Sequence, residues 1–154
     1  MKLPTRVRLL VPGDAATYLA LREEASLDPG YGVVGQVHRA LTREMLAQTL
    51  ATAASGQVFG AFSGLDMPGM VGLGGNHQSR ATLFGLYVRR QSRGQSIGRL
   101  LVTEVINRAR AEGFNSLRLD VRRDNAPAIS LYESAGFMLL DQDQQTQQMG
   151  LWLR

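Results

Sequence analysis

Cysteine is absent from the 154 residues, which excludes disulfides, a cysteine-ligated zinc and any acyl-cysteine intermediate. Chemistry here is therefore direct or runs through another nucleophile. Lysine is almost absent too: Lys2 stands alone among 17 basic residues, the others all arginine. Guanidinium groups suit bidentate binding of phosphate or carboxylate, although a coding bias toward arginine gives the same count. No apolar run approaches the roughly 20 residues that a membrane-spanning helix needs; the first, after Met1 and Lys2, is interrupted by Pro4, Arg6 and Arg8. The expectation is a soluble, cytoplasmic chain with no membrane partner. Aromatics are only 6% of the residues. The basic stretch 80–123 sets its arginines against only Glu104, Glu112 and Asp120, and its few rings do not alternate with the arginines as stacking aromatics would, which argues against a nucleic-acid-binding module.

What is present fits one domain over 1–154, with 44% hydrophobic residues to fill a core. Residues 6–11 (RVRLLV) read as a strand, 12–14 as a turn, and Asp14 as the cap of a helix whose apolar face carries Tyr18, Leu19, Leu21 and Ala25. Glu23 and Glu24 close that helix, by default as solvated charge, with a catalytic or amine-binding role as the alternative. Residues 26–39 read as a loop or broken helix, a length at which loops often carry function. Thr42 or a neighbour caps a second helix bearing Met45, Leu46 and Leu50 and stopped by Gly56.

Strands follow at 58–62 and 70–75, joined by a hairpin turn over 64–69 that contains Pro68. Gly72, Gly74 and Gly75 are flexible strand glycines or make room for a ligand or backbone. His77 is a loop surface residue, or a base or substrate contact. A third helix over about 97–112, stopped by Gly113, leads into strand 116–121, which makes a right-handed parallel crossover from strand 81–88. A fourth helix starts at 124–127 and stops at Gly136. Strands 137–140 and 149–153, joined by a glutamine-rich turn, end the chain.

The chain is organised around residues 86–101 (LYVRRQSRGQSIGRLL), where strand gives way to a polar loop and then to helical spacing at Ile97, Leu100, Leu101 and Val105. A first helical turn presents unpartnered N–H groups and partial positive charge, so a glycine-containing approach admits an anion such as phosphate. Arg89, Arg90, Arg93 and Arg99 reinforce that field. The alternative is a solvated basic turn.

Arg93-Gly94-Gln95-Ser96-Ile97-Gly98, after a strand ending Leu86-Tyr87-Val88, resembles the acyl-CoA pyrophosphate loop of GNAT-type acetyltransferases. It departs at Ser96, where the family has Gly; the extra Cβ and hydroxyl narrow the approach of backbone to phosphate. A second stretch, NAPAISLYESAGF, resembles the family segment through Asn125, Ala128, Tyr132, Gly136 and Phe137. The resemblance implies an α+β fold: a mixed central sheet of six to seven strands, mostly antiparallel with a splayed parallel pair, flanked by about four helices. Acyl-CoA would lie in the splay and pass its acyl group directly to a primary amine, with no metal.

The resemblance also implies roles. Backbone groups of Leu86 and Val88 would pair with the pantetheine amides like an added strand. Amides of Arg93, Gly94, Gln95, Ser96, Gly98 and Arg99 would take the pyrophosphate. Asn125 would bind the cofactor arm or fix the fourth helix, and Tyr132 would protonate the leaving thiolate. The bland readings are a helix cap and a core aromatic. Some members carry a Glu on the fourth strand, where this chain has Thr82; the base stays open among water, His77, Glu23, Glu24, Asp120 and none. A non-catalytic CoA-sensing domain is the alternative. The acceptor, small molecule or protein, and the choice of monomer or homodimer are not legible.

Overall fold

The computed structural model describes residues 4–28, 43–51, 56–75 and 79–154. Its elements run β1 (Thr5–Leu9), α1 (Ala15–Ser26), α2 (Arg43–Ala51), β2 (Gln57–Ser63), β3 (Asp66–Gly75), β4 (Arg80–Val88), α3 (Ile97–Ala111), β5 (Ser116–Arg122), α4 (Ala126–Ser134), β6 (Met138–Gln142) and β7 (Thr146–Trp152). One sheet takes the order β1-β2-β3-β4-β5-β7-β6. Every neighbouring pair is antiparallel except β4 and β5. This is the mixed sheet and helix complement expected from the sequence. No described helix is long and apolar enough to cross a membrane.

Period and burial agree where the sheet is covered on one face. Leu117, Leu119 and Val121 of β5 are buried while their neighbours are not, and they meet the stripe Ile97, Leu101, Val102, Val105 and Ala109 of α3. Gly113, at φ 86°, ends α3. Its N–H bonds to Arg110 O and that of Phe114 to Ala109 O, the paired closure that satisfies two carbonyls of the last turn. The opposite sheet face is covered by α1 and α2, through a second cluster in which Tyr18, Leu21 and Ala25 meet Val58, Met67, Met70 and Tyr87.

Several local expectations are corrected. The β2–β3 turn is only Gly64 and Leu65, and Pro68 lies within β3. Register shifts there between Ala61 and Ser63, and a bulge is where a strand tolerates a residue with no N–H. Asp14 makes no side-chain bond to α1. Its Oδ2 instead accepts from Val11 N–H at 2.8 Å, and Arg8 grips both carboxylate oxygens at 2.8 and 3.0 Å. The Arg8 hydrogen bond, with that of Val11, holds the Asp14 carboxyl below the usual range. The space beside Gly72 and Gly75 goes to the chain's own aromatics: a Cβ on Gly72 would lie 2.3 Å from the Phe84 ring, and one on Gly75 2.9 Å from Phe114. The last two strands are longer than expected, so Gln147 and Gln148 belong to β7 and not to a turn. Residues 29–39 of the expected loop, the Thr42 cap and His77 lie outside the described residues.

Candidate active site

Two parallel strands part company after three residue pairs. β4 and β5 are joined at Arg80↔Ser116, Ala81↔Leu117 and Thr82↔Arg118; beyond Thr82 no described strand pairs with that side of β4. The divergence coincides with a bulge. β4 slips against β3 between Phe84 and Tyr87, with Gly85 at φ 64° in the slip. Such a bulge bends its strand, and here it also resets which residues face which way. Ala81 and Leu83 face the α3 side before it, Leu86 and Val88 pack on that side after it, and Tyr87 turns to the α1 side. Leu86 and Val88 therefore lie on the open edge of a wedge.

The mouth of the wedge is the loop that the sequence singled out. After a short 3-10 turn at Arg90–Ser92, the chain enters the left-handed region twice, at Gly94 (φ 79°) and Ser96 (φ 66°), before α3 begins. Leu100 N–H to Ser96 O, at 3.1 Å, is the first bond of the helix. The N–H groups of Ile97, Gly98 and Arg99 precede it, and the Ser96 side chain caps none of them. Gln95 and Arg99 are exposed. Gly98 is close-packed, since a Cβ there would sit 3.0 Å from Leu131 of α4.

The arginines are less free than their sequence positions suggest. Arg89 bonds to Asp66 at 2.9 Å and Glu24 at 3.2 Å, partners that raise its pKa above the ordinary guanidinium value. Arg90 and Arg93 both reach Asp28, at 3.5 and 2.7 Å. The sequence does not single out Asp28, which falls in the stretch 26–39 that reads there as a loop or broken helix. Gly85 was also missed, although a lone glycine in a strand of β-branched and aromatic residues is a bulge signal.

Asn125 stands at the N-cap of α4, where its Oδ1 accepts from Ala128 N–H at 3.3 Å, so the helix-fixing option is realised. Tyr132 is 5% exposed and meets the Phe137 ring edge-on at 5.7 Å. Of the candidate bases, Glu23 and Asp120 are exposed, and Glu24 is committed to Arg89. Thr82 is exposed on β4, a strand without a carboxylate.

A model of the Acetyltransferase (GNAT) family matches residues 20–137. The chain belongs to that family. Among relatives it is 44% identical over 57 residues to the ribosomal protein bS18-alanine N-acetyltransferase of Escherichia coli (strain K12). That match spans 37% of this chain and 38% of the relative's length. Among solved structures, a GNAT-family acetyltransferase from Streptococcus pneumoniae superposes with a TM-score of 0.86 at 23% identity, covering 97% of this chain and 99% of that one. The PaiA N-acetyltransferase of Thermoplasma acidophilum, solved with coenzyme A, gives 0.80 at 22% identity over 97% of this chain and 99% of that one. These structural likenesses establish the GNAT fold.

Proposed function

We propose that this chain transfers an acetyl group from acetyl-CoA to a primary amine of a small molecule or protein. The observation that carries the reading is the wedge between β4 and β5 with the start of α3 at its mouth. It offers two kinds of backbone partner in one line. The edge at Leu86 and Val88, which no described strand covers, suits an extended chain bearing amides. The amides of Gly94, Gln95, Ser96, Gly98 and Arg99 suit a pyrophosphate, through two left-handed residues and the positive end of the helix, whereas the Arg93 amide expected to join them already donates to Arg90 O at 3.3 Å. Acetyl-CoA supplies an acetyl group already activated as a thioester.

The chain's own residues do the rest. Asn125 fixes the start of α4, and α4 carries Tyr132 seven residues on, two turns along and on the same face. Tyr132 Oη, as a phenol, can give its proton to the departing sulfur. The acceptor's proton goes to water or to a group outside β4. The E. coli relative is named for acting on a ribosomal-protein alanine, and a protein N-terminus is accordingly the first acceptor to try.

The test separates charge from shape at Gly94, where a Cβ would meet nothing within 4 Å. Gly94→Asp and Gly94→Asn adopt the same left-handed backbone, which Asp and Asn tolerate best among non-glycine residues, and differ only in charge. Calorimetry should show CoA binding that weakens with salt, little changed in the Asn variant and reduced at least tenfold in the Asp variant. Equal affinities in the two would remove the pyrophosphate from this loop. Acetylation across a panel of amines, beginning with peptide N-termini, then identifies the acceptor.

A further inference from the structure

The carboxylate of Asp28 lies past the C-terminal end of α1, with 5% of its side chain exposed. Its Oδ2 accepts from Arg93 Nη2 at 2.7 Å and from Tyr87 Oη at 3.1 Å, and its Oδ1 from Arg90 Nη2 at 3.5 Å. Arg93 is bound at its other end as well: Nε donates to Val88 O at 2.9 Å, and its guanidinium lies 5.6 Å from the Tyr87 ring centroid. One planar group therefore joins the last carbonyl of β4 to the first residue of the loop, and a carboxylate from a different element holds that group in place. Burial, followed by the bond to Asp28, raises the Tyr87 phenol's pKa, so Tyr87 remains a donor to Asp28 at neutral pH.

We infer that Asp28 is a positioning residue for the cofactor: it anchors Arg93, and through Arg93 it fixes the β4 edge and the loop at 93–98 in the relation that a single ligand spanning both requires. The inference rests on the proposed function for what that ligand is. A loop with two left-handed residues has other conformations open to it, and ordering them before the ligand arrives removes that cost from binding. Charge-assisted bonds between planar partners have the directionality for this task. The opposite role, screening of the two arginines, has the opposite sign: loss of Asp28 would then strengthen binding of an anionic ligand.

The experiment is a calorimetric titration of CoA into the native protein, Asp28→Asn, Asp28→Glu, Arg93→Gln and the Asp28→Asn/Arg93→Gln double variant, with thermal melting alongside. Asp28→Asn should weaken CoA about tenfold, Asp28→Glu should recover part of the loss, and the double variant should be no weaker than the weaker single one, because both changes break one connection. Hydrogen exchange of the amides at 94–99 should quicken in Asp28→Asn without ligand, while the α3 interior keeps its protection. Unchanged or tighter CoA binding in Asp28→Asn overturns the inference, as does strict additivity in the double variant. Should Asp28→Asn fold poorly, Tyr87→Phe removes one of the carboxylate's bonds and should weaken CoA two- to threefold; no change there overturns it equally. Failure of the functional reading shows separately, as a native protein that binds no CoA.

Discussion

Ser96 holds a φ of 66°, a conformation that costs an ordinary L-residue about 1–2 kcal/mol and glycine nothing. The sequence alone presents the Ser as a narrowing of the approach to phosphate; the backbone adds that its side chain also strains the helix entrance. Ser96→Gly is accordingly expected to raise stability by about 1 kcal/mol, or about 2–4 °C in melting temperature for a chain of this size, with CoA affinity changed no more than a few fold. A lower melting temperature would mean that the Ser hydroxyl makes a contact worth more than the strain. At Tyr132 the competing readings are proton donor and core ring, and its burial against Phe137 fits either. Tyr132→Phe keeps the ring and deletes the hydroxyl. General acid catalysis typically contributes about 10²- to 10⁴-fold, so turnover with a good acceptor should fall within that range while CoA affinity holds. Undiminished turnover would leave Tyr132 as packing.

At the scale of the element, β4 sets the shape of the site, and Gly85 sets the shape of β4. A Cβ at Gly85 would touch nothing within 4 Å, so replacement is penalised through the backbone alone. Gly85→Ala should cost about 1 kcal/mol and weaken CoA binding with it, since relaxing the bulge lets β4 straighten toward β5. Denaturant midpoints and CoA titrations on the same samples check both; stability held at the native level would mean that the bulge does not depend on the left-handed residue.

What was legible in the sequence follows from range. The order of strand, loop and helix around residues 86–101, the β5 alternation and the Gly113 stop are written in neighbouring residues. The β2–β3 turn reads longer in the sequence than it is because Pro68 signals a turn locally, whereas its tolerance inside β3 depends on a bulge against a different strand. Asp14 was assigned to the helix after it, yet its bonds go to Arg8 and Val11 behind it. Asp28 was invisible as part of the site, because only folding brings it to Arg93, 65 positions along the chain.

For the whole molecule, the sheet is two halves, β1 to β4 and β5 to β7, sharing three β4–β5 residue pairs. The main core cluster nevertheless runs through both, from Phe59 and Val71 through Leu101 and Val105 of α3 to Leu119 and Met149. The halves should therefore unfold together while the wedge opens locally at lower cost, since backbone without a ladder partner is the first to exchange. A ligand seated in the wedge contacts β4, the α3 entrance and the neighbourhood of β5 at once. Binding to the native state alone at a hundredfold excess over Kd adds about 2.7 kcal/mol, which for a chain of this size corresponds to about 5–10 °C in melting temperature. CoA should produce that shift in one transition and slow exchange on both sides of the wedge, at 84–88 and at 119–122. Protection confined to the loop at 93–98 would mean that the nucleotide end binds while the arm stays outside, and Leu86 and Val88 would then lose their assigned role.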